Sequence, residues 1–156
     1  MLDTGLTIGE MDTNYIYEDK GIIMTKVFVN GTFDVLHPGH IAMLTYASNS
    51  GDELLVAIDS DRRVKEKKGD DRPINNEDTR AKIIFHIKGV DEVVIFDTDE
   101  DLRSAIKEYE PDIMIVGSDY ENKVVIGSEY ARELKFFKRD ERYSSTKIIE
   151  NIINRR

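Results

Sequence analysis

From Lys26 onward, short apolar runs alternate with stretches of helical period. The run VFVNG at 27–31 is apolar, β-branched and closed by glycine, the pattern of a strand buried on both faces. Residues 38–50 place Ile41, Leu44 and Ala47 at helical spacing, with Pro38 in the first turn and Gly51 beyond the end. ELLVAID at 53–59 predicts a second buried strand. Residues 76–88 predict a helix capped by Asn75 or Asn76 and ended by Gly89, with His86 inside it as a structural side chain. A third strand follows at 90–96. A helix over 100–109 stops before Pro111, and a fourth strand over 113–116 ends in Gly117. A short helix over 128–133, a fifth strand over 134–137 and a last helix over 145–153, capped by Ser144 or Ser145, complete the series.

Strand–helix alternation of this kind predicts an α/β protein: a Rossmann-like, doubly wound sheet of five parallel strands. Ligands of such sheets bind beyond the C-terminal strand ends. The segments to read for chemistry are therefore those that follow the strands, among them NGTFDVLHPGH, DSDRRVKEKKGDDRP, GSDY and KRDERYSSTK. The second of these reads as a loop.

The first 23 residues carry no period. They are read as an extension outside the fold, with the domain spanning residues 24–156. Either they form an arm, or Met24 is the true start, since Lys20-Gly21 can be encoded as AAGGAN, a ribosome-binding sequence.

Composition narrows the function. The 156 residues hold 31 acidic and 22 basic side chains, for a net charge of −9, which argues against general nucleic-acid or membrane-surface binding. There is no cysteine, which excludes thiolate chemistry and disulfides. No apolar run approaches a membrane span, and a cytoplasmic protein is expected.

Against this acidic background, the loops after the strands collect phosphate-handling groups. Two of only three histidines, His37 and His40, sit where the first strand hands over to the first helix. A helix start offers free N–H groups and partial positive charge to an anion. Gly31 and Gly39 allow close backbone approach. Lys65, Lys67 and Lys68 follow the second strand. Arg139 follows the fifth, ahead of Ser144, Ser145 and Thr146 at another helix start. No G-x-x-x-x-G-K-[ST] or G-x-G-x-x-G run is present, so a P-loop kinase and a Rossmann dehydrogenase are not indicated.

NGTFDVLHPGH resembles the signature of the HxGH nucleotidyltransferases, the cytidylyltransferase-like family. KKGDDRPINNEDTR (67–80), VGSDY (116–120), IGS (126–128) and RDERYSSTKII (139–149) extend the resemblance in the family's order. They side with the branch that holds the adenylyltransferase domain of ADP-heptose synthase. GTFDVLHPGH alone fits the glycerol-3-phosphate cytidylyltransferases equally.

The resemblance implies transfer of a nucleoside monophosphate from ATP or CTP to a sugar phosphate or glycerol 3-phosphate. Mg²⁺ would be carried by the triphosphate rather than by a protein metal site, and a homodimer is expected. It assigns His37, His40, Lys68 and Arg139 to catalysis. Gly31, Thr32, Phe33, Gly117, Asp119, Tyr120, Ser144, Ser145 and Thr146 join the histidines and Arg139 around the nucleotide. Asp34, Lys65 and Arg80 are assigned to the acceptor, with a turn cap as the competing reading of Asp34. Arg142 departs from the glycine usual in the closing motif. A module that binds nucleotide without catalysis is the rival reading. Removal of residues 1–23 is expected to leave activity and melting temperature nearly unchanged; a large drop in either would place the segment within the fold or a partner site.

Overall fold

A computed structural model describes Gly21 and residues 23–155, so the reading of residues 1–23 as an extension lies almost wholly outside the described residues. The elements are β1 (Lys26–Gly31), α1 (Pro38–Ser48), β2 (Glu53–Asp59), α2 (Asp61–Lys68), α3 (Glu77–Phe85), β3 (Glu92–Phe96), α4 (Asp99–Tyr109), β4 (Ile113–Gly117), β5 (Glu133–Phe137) and α5 (Ser145–Ile153). Single 3₁₀ turns lie at Ser118–Tyr120 and Ser128–Tyr130.

All five strands are parallel, in the order β3-β2-β1-β4-β5. This is the doubly wound sheet expected from the alternating pattern. Successive side chains of a strand face opposite ways, so each inner strand feeds two cores. Val27, Val29, Leu54, Val56, Ile58, Ile113 and Ile115 pack on one face with Met43, Leu44 and Ala47 of α1 and Ile84 of α3. Phe28, Leu55, Ala57, Met114 and Val116 pack on the other with Leu102, Ile106 and Tyr109 of α4. Winding reverses between β1 and β4, and their C-terminal ends part there to leave a crevice.

Three elements differ from the sequence reading by more than a residue or two at an end. Residues 61–68 form α2 rather than a loop. DRRVKEKK offers a single buried apolar residue, Val64, and therefore no hydrophobic period. Its helix rests on the Ser60 cap, whose hydroxyl accepts from Arg63 N, and on Arg63 reaching back to Asp59. The helix expected over 76–88 closes at Phe85, with His86 as its cap, so His86 is terminal rather than internal. The helix expected over 128–133 is one 3₁₀ turn, and β5 begins at Glu133.

Arg80 is the largest fully buried side chain. Its guanidinium donates to the carbonyls of Asn75 (2.9 Å), Thr32 (2.9 Å) and Asp59 (2.8 Å), and to Asp61 Oδ1 (2.7 Å). It ties α3 to the ends of β1 and β2 and to the start of α2. This corrects its assignment to the acceptor, because these bonds occupy four of its five N–H donors and it does not line the crevice. No helix among the described residues is long and apolar enough to cross a membrane. Arg80→Met is expected to lower the unfolding free energy by about 3 kcal/mol or more, by stranding three carbonyls and a carboxylate. An unchanged urea midpoint would remove Arg80 from this role.

Candidate active site

The crevice is a cavity of about 480 Å³, open on one side and lined by the segments that follow β1, β2, β4 and β5. The turn from β1 into α1 forms its floor. Within that turn Phe33 (φ 51°) and Val35 (φ 48°) are held in the left-handed region. A β-branched residue there costs on the order of 1–3 kcal/mol and persists only when its surroundings over-determine it. Three ties do so. The Asp34 carboxylate accepts from Ile74 N (2.6 Å) and Asn75 N (3.0 Å). Arg80 holds Thr32 O, and Ser145 Oγ lies 2.6 Å from Asp34 O and 3.2 Å from Val35 O. Asp34 is buried, and its carboxylate serves as a backbone tie.

His37 is the N-cap of α1, an unusual residue in that position. Its Nδ1 accepts from Gly39 N at 3.1 Å, while His37 N donates to His40 Nδ1 at 3.4 Å. Both rings thus use Nδ1 as an acceptor. Each must be the neutral tautomer with its proton on Nε2, leaving an N–H donor free. The rings stack, with centroids 3.8 Å apart, and the Phe33 ring tilts against His40 at 5.5 Å. Desolvation is the main reason His40 is held down to about 4, with the charges of His37, Arg139 and Lys68 adding to it. Desolvation, then Arg139, lowers His37 as well. A Cβ on Gly39 would lie 3.0 Å from the His37 ring, so a side chain there would press on that ring.

A second helix start, that of α5, faces the same cavity. The Ser144 side chain caps Lys147 N, and Thr146 is exposed to the cavity. Ser145 is corrected in part: its hydroxyl proton is spent on the turn carbonyls, so only its backbone N–H and oxygen lone pairs remain for a ligand. Arg139 lines the same cavity, its Nε 3.6 Å from Asp119 Oδ1. Gly117 ends β4 where a Cβ would collide with the Asp119 carboxylate and lie 3.1 Å from Arg139 Nε. Tyr120 is exposed on the rim, with Lys123 over its ring at 5.2 Å.

The structure therefore brings together in the cavity Gly31, Thr32, Phe33 and Asp34, both N-terminal histidines, Lys68, and the assigned residues from 117 to 146. Lys65 is left out: it points away on α2, and Lys67 and Lys68 line the cavity instead. Arg142 is outside as well, paired bidentately with Asp140, whose carboxyl it holds down to about 2.

Several lining residues escaped the sequence reading. Asp59, buried at the end of β2, accepts from Arg63 Nε (2.7 Å), Lys67 Nζ (3.3 Å) and Thr32 Oγ1 (3.1 Å). Tyr143 stacks on His37 at 6.2 Å. Only the last strand residue before a helix could have flagged Asp59, and it required α2 to be recognised. No group of three His, Cys, Asp or Glu residues able to hold a metal occurs among the described residues. Two helix starts, two imidazole donors and convergent cations form a cradle for an extended polyanion.

Comparison with known proteins bears on the family and the fold. The family model described as cytidylyltransferase-like matches residues 28–151. The bifunctional protein HldE of Campylobacter fetus is 48% identical over 128 residues, which is 82% of this chain and 28% of that protein. Its namesake from Helicobacter pylori strain Shi470 is 45% identical over 81% of this chain and 27% of that protein. The chain thus spans less than a third of the length of these relatives. Among solved structures, the lipopolysaccharide core biosynthesis protein of Thermoplasma volcanium aligns with a TM-score of 0.59 at 28% identity, over 78% of this chain and all of that one. A pantothenate synthetase of Thermus thermophilus (TM-score 0.52, 14% identity, 73% of this chain and 55% of that one) shares the fold alone.

The neutral state of His40 has a consequence for stability. Its folded value of about 4 lies below the ordinary 6.5 of histidine, so on acidification the unfolded chain takes the proton first. The contribution is intact above about pH 6.5 and is lost as pH falls towards about 4. His40→Ala is expected to flatten that part of the stability profile in chemical denaturation. Identical slopes for the two proteins would show that His40 titrates normally.

Proposed function

The chain belongs to the cytidylyltransferase-like family, whose model matches most of its length, and we propose that it transfers AMP from ATP to a sugar 1-phosphate of the heptose type, releasing pyrophosphate. The observation that carries nucleotidyl transfer is the stacked His37–His40 pair. Its free Nε2–H groups line a cavity between two helix starts. The substrate class rests on KGDDRP, GSDY and IGS, which resemble the adenylyltransferase domain of ADP-heptose synthase, and on likeness to the bifunctional protein HldE and to a lipopolysaccharide core biosynthesis protein.

In this reaction an oxygen of the acceptor phosphate attacks the α-phosphorus. The bond from that phosphorus to the bridging oxygen breaks, and the electron pair leaves with pyrophosphate. No covalent enzyme intermediate is required, so the protein works by positioning and by stabilising charge. His37 and His40 donate to the phosphoryl oxygens on which charge builds. Being neutral, they do so without carrying a proton away from solvent. The α1 amides lie beside them. Arg139, the α5 amides and the hydroxyls of Ser144 and Thr146 hold the β- and γ-phosphates. Gly117 permits the nucleoside to approach β4, with Asp119 and Tyr120 beside it. Lys68 neutralises charge at the reacting phosphorus. Magnesium enters as part of the substrate, on the triphosphate oxygens. Two of the four cavity carboxylates, Asp34 and Asp59, are buried and committed to protein donors, and Asp119 and Asp140 pair with Arg139 and Arg142.

The test is pyrophosphate release with Mg²⁺, crossing ATP and CTP against sugar 1-phosphates, heptose 1-phosphate included, and glycerol 3-phosphate. Turnover with ATP and a sugar phosphate is expected. Turnover confined to CTP and glycerol 3-phosphate would keep the chemistry and overturn the substrate. Thermal protection by ATP with no pyrophosphate from any pair would indicate a binding module. His40→Ala is expected to lower kcat by about 100-fold or more while remaining folded, the usual cost of losing one preorganised donor; near-normal turnover would remove His40 from the chemistry.

A further inference from the structure

Seven basic side chains line the cavity, and five of them have protein partners that account for their positions. His37 and His40 cap α1. Arg63 is clamped between Asp59 and Asp99, Lys67 reaches Asp59, and Arg139 lies beside Asp119. Lys68 and Arg72 remain. Neither forms an ion pair among the described residues. In a chain with 31 acidic residues against 22 basic ones, two unpaired cations facing one cavity call for an anion there.

Lys68 ends α2, where a cation complements the helix dipole. That explanation does not extend to Arg72, which lies beyond Gly69, outside the helix. Arg72 is half-buried, and its segment is fixed at both sides. Its own N–H donates to Gly69 O at 3.1 Å, and two residues on, the Asp34 carboxylate binds the Ile74 and Asn75 amides. Lys68 ends α2 and Arg72 follows it by four residues, so both belong to the cavity wall that follows β2, apart in the chain from the segments that start α1 and α5.

We propose that Arg72 binds the phosphate of the acceptor. The inference rests on the nucleotidyl transfer proposed above. In-line displacement puts the attacking oxygen opposite the leaving pyrophosphate. The two helix starts take the pyrophosphate side, so the acceptor enters from the α2 side. Two phosphate groups brought together repel, and the Lys68 ammonium on the same wall offsets part of that repulsion. A guanidinium offers a planar pair of donors to a terminal phosphate, which an ammonium does not.

The experiment compares Arg72→Gln and Arg72→Lys with the parent chain in steady-state turnover. For Arg72→Gln the KM for the acceptor is expected to rise about 10- to 100-fold, the worth of one charge-assisted contact. The KM for ATP and the melting temperature are expected to stay close to the parent values, and Arg72→Lys to recover part of the loss. An unchanged acceptor KM, or an equal rise in both KM values, would overturn the assignment. Absence of turnover in the parent chain would count against nucleotidyl transfer itself. Arg72 is then read by binding of inorganic phosphate, by calorimetry, to protein loaded with a non-cleavable ATP analogue. About 10-fold weaker binding in Arg72→Gln supports the role, and binding equal to the parent, or none in either, overturns it.

Discussion

The turn between β1 and α1 is the constraint on which the rest of the site depends. It places Phe33 and Val35 in a left-handed conformation that neither side chain favours. It survives because distant segments grip it. Arg80 holds Thr32 O, Asp34 takes two amides from the 74–75 segment, and Ser145 reaches the carbonyls of Asp34 and Val35 from 110 or more residues away. The same ties set the positions of α3, of the Arg72 segment and of α5. A strained turn thereby registers three walls of one cavity, and the strain is offset by bonds that also do the positioning.

Electrostatics then divides labour within the cavity. The histidines are kept neutral chiefly by desolvation, and they spend Nδ1 on capping α1. Their free Nε2–H groups are dipolar donors whose orientation is fixed before any ligand arrives. Full charges are supplied elsewhere, by Arg139, Lys68 and Arg72, on segments anchored from outside the cavity. Asp59, buried at the end of β2, keeps Arg63 and Lys67 in place and accepts from Thr32 as well. An acidic surface around a cationic pocket is compatible with selective uptake of an anionic small molecule and disfavours nucleic acid.

Most of the fold was legible from hydrophobic pattern. β1, β2 and β4 lie inside the sheet and read as continuous apolar runs, since both faces are covered. α2 was not legible. It buries one apolar residue and stands on a serine cap and an i,i+4 ion pair, which leave no period. Arg80 was misread for a related reason. A single arginine near a motif looks like a ligand contact, and only the fold reveals three carbonyls converging on it.

By itself, the sequence determined the parallel α/β sheet, the family, and the two histidines at the first helix start. These follow from periodicity and from residues close together in the chain, where local geometry dictates the outcome. Tertiary structure decided which polar groups remain free for a ligand. Asp34, Ser145 and Arg80 are drawn into ties across 40 to 111 residues. Lys65 and Lys68 lie one turn apart on α2, yet only Lys68 lines the cavity. Whether a donor is spent or available depends on what the chain brings beside it, and that contact is made in space rather than along the sequence.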